Sequence, residues 1–140
     1  MVFEKLSIRN MYVLRLNPGD DILASLEETA KKNNIKNAVI LCGIGSAISY
    51  HYHVVGNKEL PPRNDFVRGE APSDIIGITG VILEGRIHAH IAHSDTEKSY
   101  GGHLEPGVKV LTLSVITIAE VDNDFTGFDT PGNVEDYRKK

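Results

Sequence analysis

Four of the chain's six histidines fall in one stretch, RIHAHIAHSDTEKSYGGHLEPG, residues 86–107. They are His88, His90, His93 and His103. Imidazole is the commonest protein ligand for transition metals, and it titrates near neutral pH. Residues i and i+2 of a strand share a face. Read as a strand, RIHAHIAH therefore projects Arg86, His88 and His90 one way, and Ile87, Ala89, Ile91 and His93 the other. Two strand steps span roughly 6.5–7 Å between α-carbons. From that spacing two rings can converge on one ion, with bonds of about 2.0–2.1 Å. His103 follows Gly101 and Gly102, which let the backbone turn and bring a third ring inward. Glu105 is available as a fourth ligand, as a carboxylate orienting a ligand, or as a base. Arg86, on the same face, can bind the carboxylate or phosphate of a small-molecule ligand. Three histidines leave a coordination position open, which is the arrangement of catalytic zinc. The reading is thus a site for zinc or another divalent transition metal on His88, His90 and His103, with Arg86 and Glu105 as its chemical partners.

Blander readings compete. An HxH pair occurs in ordinary sheets, Arg86 can form a surface ion pair, and Glu105 can be a solvated loop carboxylate. His93 points away from the cluster and reads as a surface or interface residue. His51 and His53 form a second HxH on another segment, and read as polar sheet-face or subunit-interface positions. No GxSxG and no HExxH signature is present.

The elements that must carry these residues are mostly strands. Met11 to Leu16 alternates as a strand. NPGDD then turns into a helix, with Asp20 as the expected N-cap. Ile22, Leu23, Leu26 and Ala30 make its apolar stripe, and lysines stand near its C-terminal end. Ala38 to Ile44 reads as a buried strand. The glycines of GIGS mark a bulge or a tight turn before the alternating AISYHYHVV; a phosphate loop would need a lysine and a following helix. Residues 56–65 read as a loop. Asp74 to Leu83 is a strand joined by a Glu84–Gly85 hairpin turn to RIHAHIAH. SDTEKSYGGHLEPG reads as a polar loop, and Val108 to Val121 as a long β-branched strand. The tail from Asp122 is polar, and is expected to be extended, disordered or wrapped on a neighbouring subunit. The fold class is α+β: one domain over residues 1–121, with an antiparallel sheet of six to seven strands and one main helix, followed by a tail over 122–140.

The chain has 140 residues, a formal net charge of −4 and 41% hydrophobic residues. That suits one globular domain. An acidic balance disfavours a dedicated nucleic-acid binder, because phosphate neutralisation needs a basic surface. No apolar run approaches the ~20 residues of a membrane helix, and no apolar stretch follows the charged start. A cytoplasmic location is expected. The single cysteine, Cys42, lies in an apolar run and reads as a buried reduced thiol. The strands' apolar faces exceed what one helix can cover, so a homo-oligomer is expected, with Val13, Ile48, Tyr50 and Tyr52 as interface candidates.

GIGS after an apolar strand, ITGVIL, HAHIAHSD and GGHLEPG, followed by a long β-rich strand, together resemble the plant and prokaryote conserved (PPC) domain from about Tyr12 to Val121. The resemblance implies an α+β fold with a large antiparallel sheet and a homotrimer. It also implies an association with DNA in members that carry AT-hook segments; no Arg-Gly-Arg-Pro core occurs in this chain. The fold is further similar to that of acetolactate decarboxylase, whose zinc-binding HxH pair and later histidine would fall on His88, His90 and His103. Two functions follow: a trimeric metal-binding protein acting on a small molecule, or a DNA-binding or regulatory trimerisation module without chemistry.

Overall fold

The computed structural model describes residues 1–131. Six strands and one helix follow in the order β1 (Ile8–Leu16), α1 (Ile22–Lys32), β2 (Ala38–Val55), β3 (Asn64–Leu83), β4 (Arg86–Ser94), β5 (Ser99–Leu104) and β6 (Val110–Val121). The strands form one antiparallel sheet in the order β1-β6-β2-β3-β4-β5. β5 also pairs with β2, so strands β2 to β5 close on themselves. The α+β antiparallel architecture with one helix matches the sequence reading.

α1 begins at Asp21, whose side chain accepts from the Ala24 amide, and ends with Lys31 and Lys32 in its last turn. The N-cap is therefore Asp21 rather than Asp20. Asp20 instead closes the preceding turn by accepting from the Asn17 amide at 2.8 Å. The helix buries Ile22, Leu26 and Ala30 against sheet residues that include Ile40, Ile78, Ile82, Ile87, Ile116 and Ile118. Burying such aliphatic side chains stabilises the fold by roughly 1.5–3 kcal/mol each.

Three boundaries depart from the sequence reading. The GIGS glycines interrupt nothing: β2 runs unbroken from Ala38 to Val55, with register shifts between Ile40 and Cys42 and between Gly45 and Ala47. These are bulges, not turns. The first turns Cys42 outward, so the thiol is exposed rather than buried. β3 starts at Asn64, ten residues before the expected Asp74, because the end of β2 supplies it with a partner from Ser49 to Val55. Finally, the polar segment after β4 contains β5, so His103 lies in a strand rather than a loop. Tyr52, an interface candidate on sequence, is buried.

The β3–β4 hairpin is as expected. Glu84 and Gly85 both have positive φ, 52° and 80°, as a two-residue hairpin turn with matching twist requires. It starts β4 at Arg86, paired with Leu83. β4 then alternates without a break: Ile87, Ala89, Ile91 and His93 are buried, while Arg86, His88 and His90 lie on the other face. His93, read on sequence as a surface or interface residue, is completely buried. The opposite face was right; that face is the core.

The tail also departs from expectation. Residues beyond β6 fold back on their own chain. Phe125 is buried with Leu83 and Val121, and half-buried Leu6, Val39 and Val81 pack against them. The remainder of the predicted tail, 132–140, lies outside the described residues.

Candidate metal centre

The closure of the sheet assembles the site. β2 follows β6 as far as Ala47, opposite Val110, and then takes β5 as its neighbour, with Tyr52 opposite Leu104 and His53 opposite His103. On β5's other edge, His103 stands opposite His90 of β4. Three adjacent strands thus set His53, His103 and His90 in one cross-strand row, and His88 lies two residues along β4 on the same face. Directly opposed residues approach to about 4.5–5.5 Å, close enough for rings to touch.

The ring centroids report that convergence. His103 lies 4.4 Å from His53, 4.8 Å from His88 and 5.6 Å from His90, and His88 lies 5.7 Å from His90. The three histidines read from sequence therefore come together. His103 is the centre of the group, and it is flanked by a fourth ring, His53. Among the described residues only His53, His103 and Glu105 bring three ligand atoms within 4.8 Å of one another; His88 and His90, though their rings are neighbours of His103, do not complete such a set. His53 was read as a sheet-face or interface position. What places it here is a pairing between strands far apart in sequence, which no local pattern announces.

Glu105 is held in place by the backbone around it. Its amide donates to the His51 carbonyl at 3.1 Å. The Pro106 carbonyl lies 2.7 Å from His51 Nδ1, and Ser49 Oγ donates to the Gly107 carbonyl at 2.7 Å. Tied to β2 in this way, Glu105 sets Oε1 2.6 Å from His53 Nδ1 and 3.6 Å from His103 Nδ1. Arg86 places Nη2 2.7 Å from Asp129 Oδ2, and the same oxygen accepts from His88 Nδ1 at 3.0 Å. Arg86 remains largely exposed, whereas the Asp129 side chain is only 5% exposed. Asp129 carried no signal in the sequence: it lies in the polar tail, 41 residues from His88.

The electrostatics favour uncharged rings at His90 and His103. Partial burial, together with repulsion from His53, His88 and His90, holds the His103 pKa below its ordinary value, although Glu105 pulls the other way. Desolvation by the packed neighbours, then repulsion from His88 and His53, lowers that of His90. A metal requires neutral imidazoles, so the crowding suits one. The hydrogen bonds suit it as well. His88 gives its Nδ1–H to Asp129, and His103 Nδ1 lies 3.1 Å from the Leu104 carbonyl. An acceptor on one ring nitrogen leaves the other nitrogen's lone pair for an ion. The donor set is imidazole and carboxylate with no thiolate, which fits zinc and its divalent neighbours.

A cavity of about 440 Å³ opens beside His90, with Gly77, Thr79, Tyr100, Gly101 and Gly102 in its wall. A larger cleft of about 620 Å³ lies by Ser73 and Asp95, but its lining contains no histidine. Of the cluster, only His90 lines the smaller space.

Residues 4–122 match the Plants and Prokaryotes Conserved (PCC) domain. Among curated proteins the chain is similar to the bifunctional protein GlmU of a Synechococcus species, 28% identical over 79% of this chain. It spans only 17% of that protein's length. Among solved structures it resembles a metal-containing protein of Archaeoglobus fulgidus, with 22% identity, a TM-score of 0.71, and 89% of this chain and 88% of that chain covered. It also resembles a protein of Ralstonia eutropha called a candidate DNA-binding protein, with 27% identity, a TM-score of 0.67, and 81% and 78% covered. No described helix is long and apolar enough to cross a membrane. With the match running through every strand and the helix, the chain belongs to the Plants and Prokaryotes Conserved (PCC) domain family.

Proposed function

We propose that this chain is a metal-binding, homotrimeric protein whose histidine cluster acts on a small molecule. The observation that carries the reading is the convergence of His53, His88, His90 and His103, with Glu105 at hydrogen-bonding distance from His53. The ion is zinc or another divalent transition metal. His103 is the shared ligand, completed by His88 and His90 in the pattern implied by acetolactate decarboxylase, or by His53 and Glu105 in the tightest donor set. The metal-containing relative from Archaeoglobus fulgidus lends fold-level support. When bound, such an ion acidifies a water or polarises a carbonyl. Glu105 is placed to exchange a proton with the site, and exposed Arg86 to hold an anionic group of the small molecule.

Self-association draws support from an exposed apolar face on β1, β6, β2 and β3. Val13, Ile44 and Ile76 are 71%, 60% and 56% exposed, and Met11, Leu41 and Leu113 extend the patch. Val13 opposes Thr117, which opposes Cys42, and Val115 opposes Ile44, so the patch is continuous across β1, β6 and β2. A large contiguous apolar patch on a soluble chain marks an interaction surface. Light scattering is expected to give three times the 15.4 kDa chain mass; a monomer removes the trimer.

The deciding measurement for the metal is elemental analysis of protein purified without a histidine tag. About one equivalent of metal per chain supports the reading. Less than about a tenth, with no uptake of added zinc, overturns it. The alternative, a DNA-binding or regulatory module without chemistry, is favoured by the name of the Ralstonia eutropha relative. It requires salt-sensitive binding to duplex DNA, and absence of binding at low salt removes it.

A further inference from the structure

The family match ends at residue 122, yet the cluster's most buried carboxylate lies beyond it. Asp129 arrives on a built segment. Phe125 is 5% exposed and plugs the small core formed with Leu83 and Val121. Phe128 meets it edge-on at 5.9 Å. Gly127 takes φ +86°, a turn conformation open to glycine, and the Thr130 amide and hydroxyl both return to the Gly127 carbonyl at 3.2 and 2.7 Å. An apolar anchor followed by a closed turn fixes where residue 129 stands.

There its carboxylate does two things at once. Oδ2 accepts from His88 Nδ1 at 3.0 Å and lies 2.7 Å from Arg86 Nη2. Oδ1 is buried and has no hydrogen-bond partner among the described residues, so the carboxylate is not consumed by structural bonding. The side chain is only 5% exposed, and the two partners that meet its charge are both residues of β4, Arg86 and His88. Free imidazole in water favours the proton on Nε2; an acceptor at Nδ1 reverses that preference and leaves the Nε2 lone pair bare.

We propose that Asp129, carried by the segment after β6, is a positioning residue of the histidine site: it locks His88 in the Nδ1–H tautomer with Nε2 free to ligate, and holds Arg86 beside it. This rests on the metal-site reading above, but its test separates the two. Two readouts are used on full-length protein: long-range ¹H–¹⁵N spectra of the imidazoles in metal-free protein, and zinc affinity by competition with a chromophoric chelator at pH 7. In the wild type, His88 is expected as the Nδ1–H tautomer. In Asp129→Ala it shifts toward Nε2–H, and zinc binds about 10–100-fold more weakly. Asp129→Asn keeps the size and one acceptor oxygen, and should fall between. Asp129→Glu should recover part of the loss, which mere packing would not. A thermal melt of each variant shows that the domain stays folded. An unchanged His88 tautomer in Asp129→Ala overturns the proposal, as does a changed tautomer with a less than about threefold change in zinc affinity. If the wild type binds no zinc, the metal reading fails alone, and the metal-free spectra still decide whether Asp129 sets His88.

Discussion

β4 carries three histidines that meet opposite fates. His88 and His90 stand on one face, in a cluster with His53 and His103 and beside a cavity. His93 stands on the other, completely buried, with Nδ1 3.0 Å from Ser73 Oγ and its ring stacked 5.3 Å from that of Tyr100. The residue type and the strand are the same; only the parity of position differs. A strand that separates core from surface turns one sequence step into a change of role. Neutral His93 fills the core as a flat polar ring with a single partner. The other face lets rings crowd while each keeps an acceptor or a path to solvent. Both environments lower imidazole pKa values, for different reasons. His93 is held down to about 4 by burial alone, whereas repulsion among the rings adds to desolvation at His90 and His103.

Deleting the centre of the cluster should give the largest effect. His103 neighbours His53, His88 and His90, so under either proposed assignment it would be a ligand. His103→Ala is expected to weaken zinc binding on the order of 1,000-fold, beyond the roughly 100-fold upper figure for an orienting partner. Its side chain is already partly exposed, so stability should change by less than about 1 kcal/mol. Isothermal titration with urea melts on the same samples checks both. A stability loss without an affinity loss would make the cluster a packing feature and erase the contrast.

The opposite face predicts the opposite pattern. His93→Ala leaves a cavity and strips Ser73 of its partner. It should cost about 3 kcal/mol in unfolding free energy and leave zinc affinity within about twofold. His93→Phe restores volume but not the hydrogen bond, and should cost less. If His93→Ala abolishes zinc binding in a folded protein, the two faces are not independent.

Acid separates them more gently. The His93 pKa is depressed by burial from the ordinary 6.5 to about 4, so the unfolded chain binds its proton more readily. The stabilising effect of neutral His93 is complete above about pH 6.5 and is lost as pH falls towards 4. Between pH 7 and pH 5 the wild type should lose about 2 kcal/mol more than His93→Phe, which carries no such proton. Parallel denaturation curves for the two proteins isolate this from every other titrating group. Equal losses would mean that His93 is not neutral and buried in the native state.

The strand alternation of RIHAHIAH sufficed to place Arg86, His88 and His90 on one face and His93 on the other. The glycine pair before His103 was read as a sharp turn bringing this ring inward; the segment is instead strand β5, and cross-strand pairing with His53 and His90 sets the ring. What the sequence hid was non-local. Nothing near His53 announces that β2 leaves β6 after Ala47 and meets β5 at Tyr52, and nothing in a polar tail announces Asp129. The parity of His93 was readable, but whether its face met water or core depended on Ser73 of β3 and Tyr100 of β5 packing against it. Cys42 was misjudged for a related reason: a bulge shifts the face of a residue without altering the apolar run that contains it.

The smallest expected effect tests how the cluster is held together. Gly102 sits in β5 where it passes between β2 and β4. A Cβ there would lie 2.4 Å from the His53 carbonyl oxygen and 3.1 Å from the Tyr52 ring. The oxygen belongs to backbone, which cannot swing aside as a side-chain tip can. Gly102→Ala must therefore push β5 away from β2 at the residue beside the His53–His103 pair. Overpacking of this kind costs about 1–3 kcal/mol; β5 has only six residues and pairs β2 at two positions, so we place the loss near 1 kcal/mol. Zinc affinity should fall about tenfold, because His103 would shift relative to His53 while His88 and His90, on β4, keep their places. Gly77 is the control: it lies in β3 on the wall of the same cavity, and a Cβ there would meet nothing within 4 Å. Gly77→Ala should leave zinc affinity unchanged. If both alanines weaken zinc equally, close packing of β5 against β2 is not what sets the His53–His103 distance.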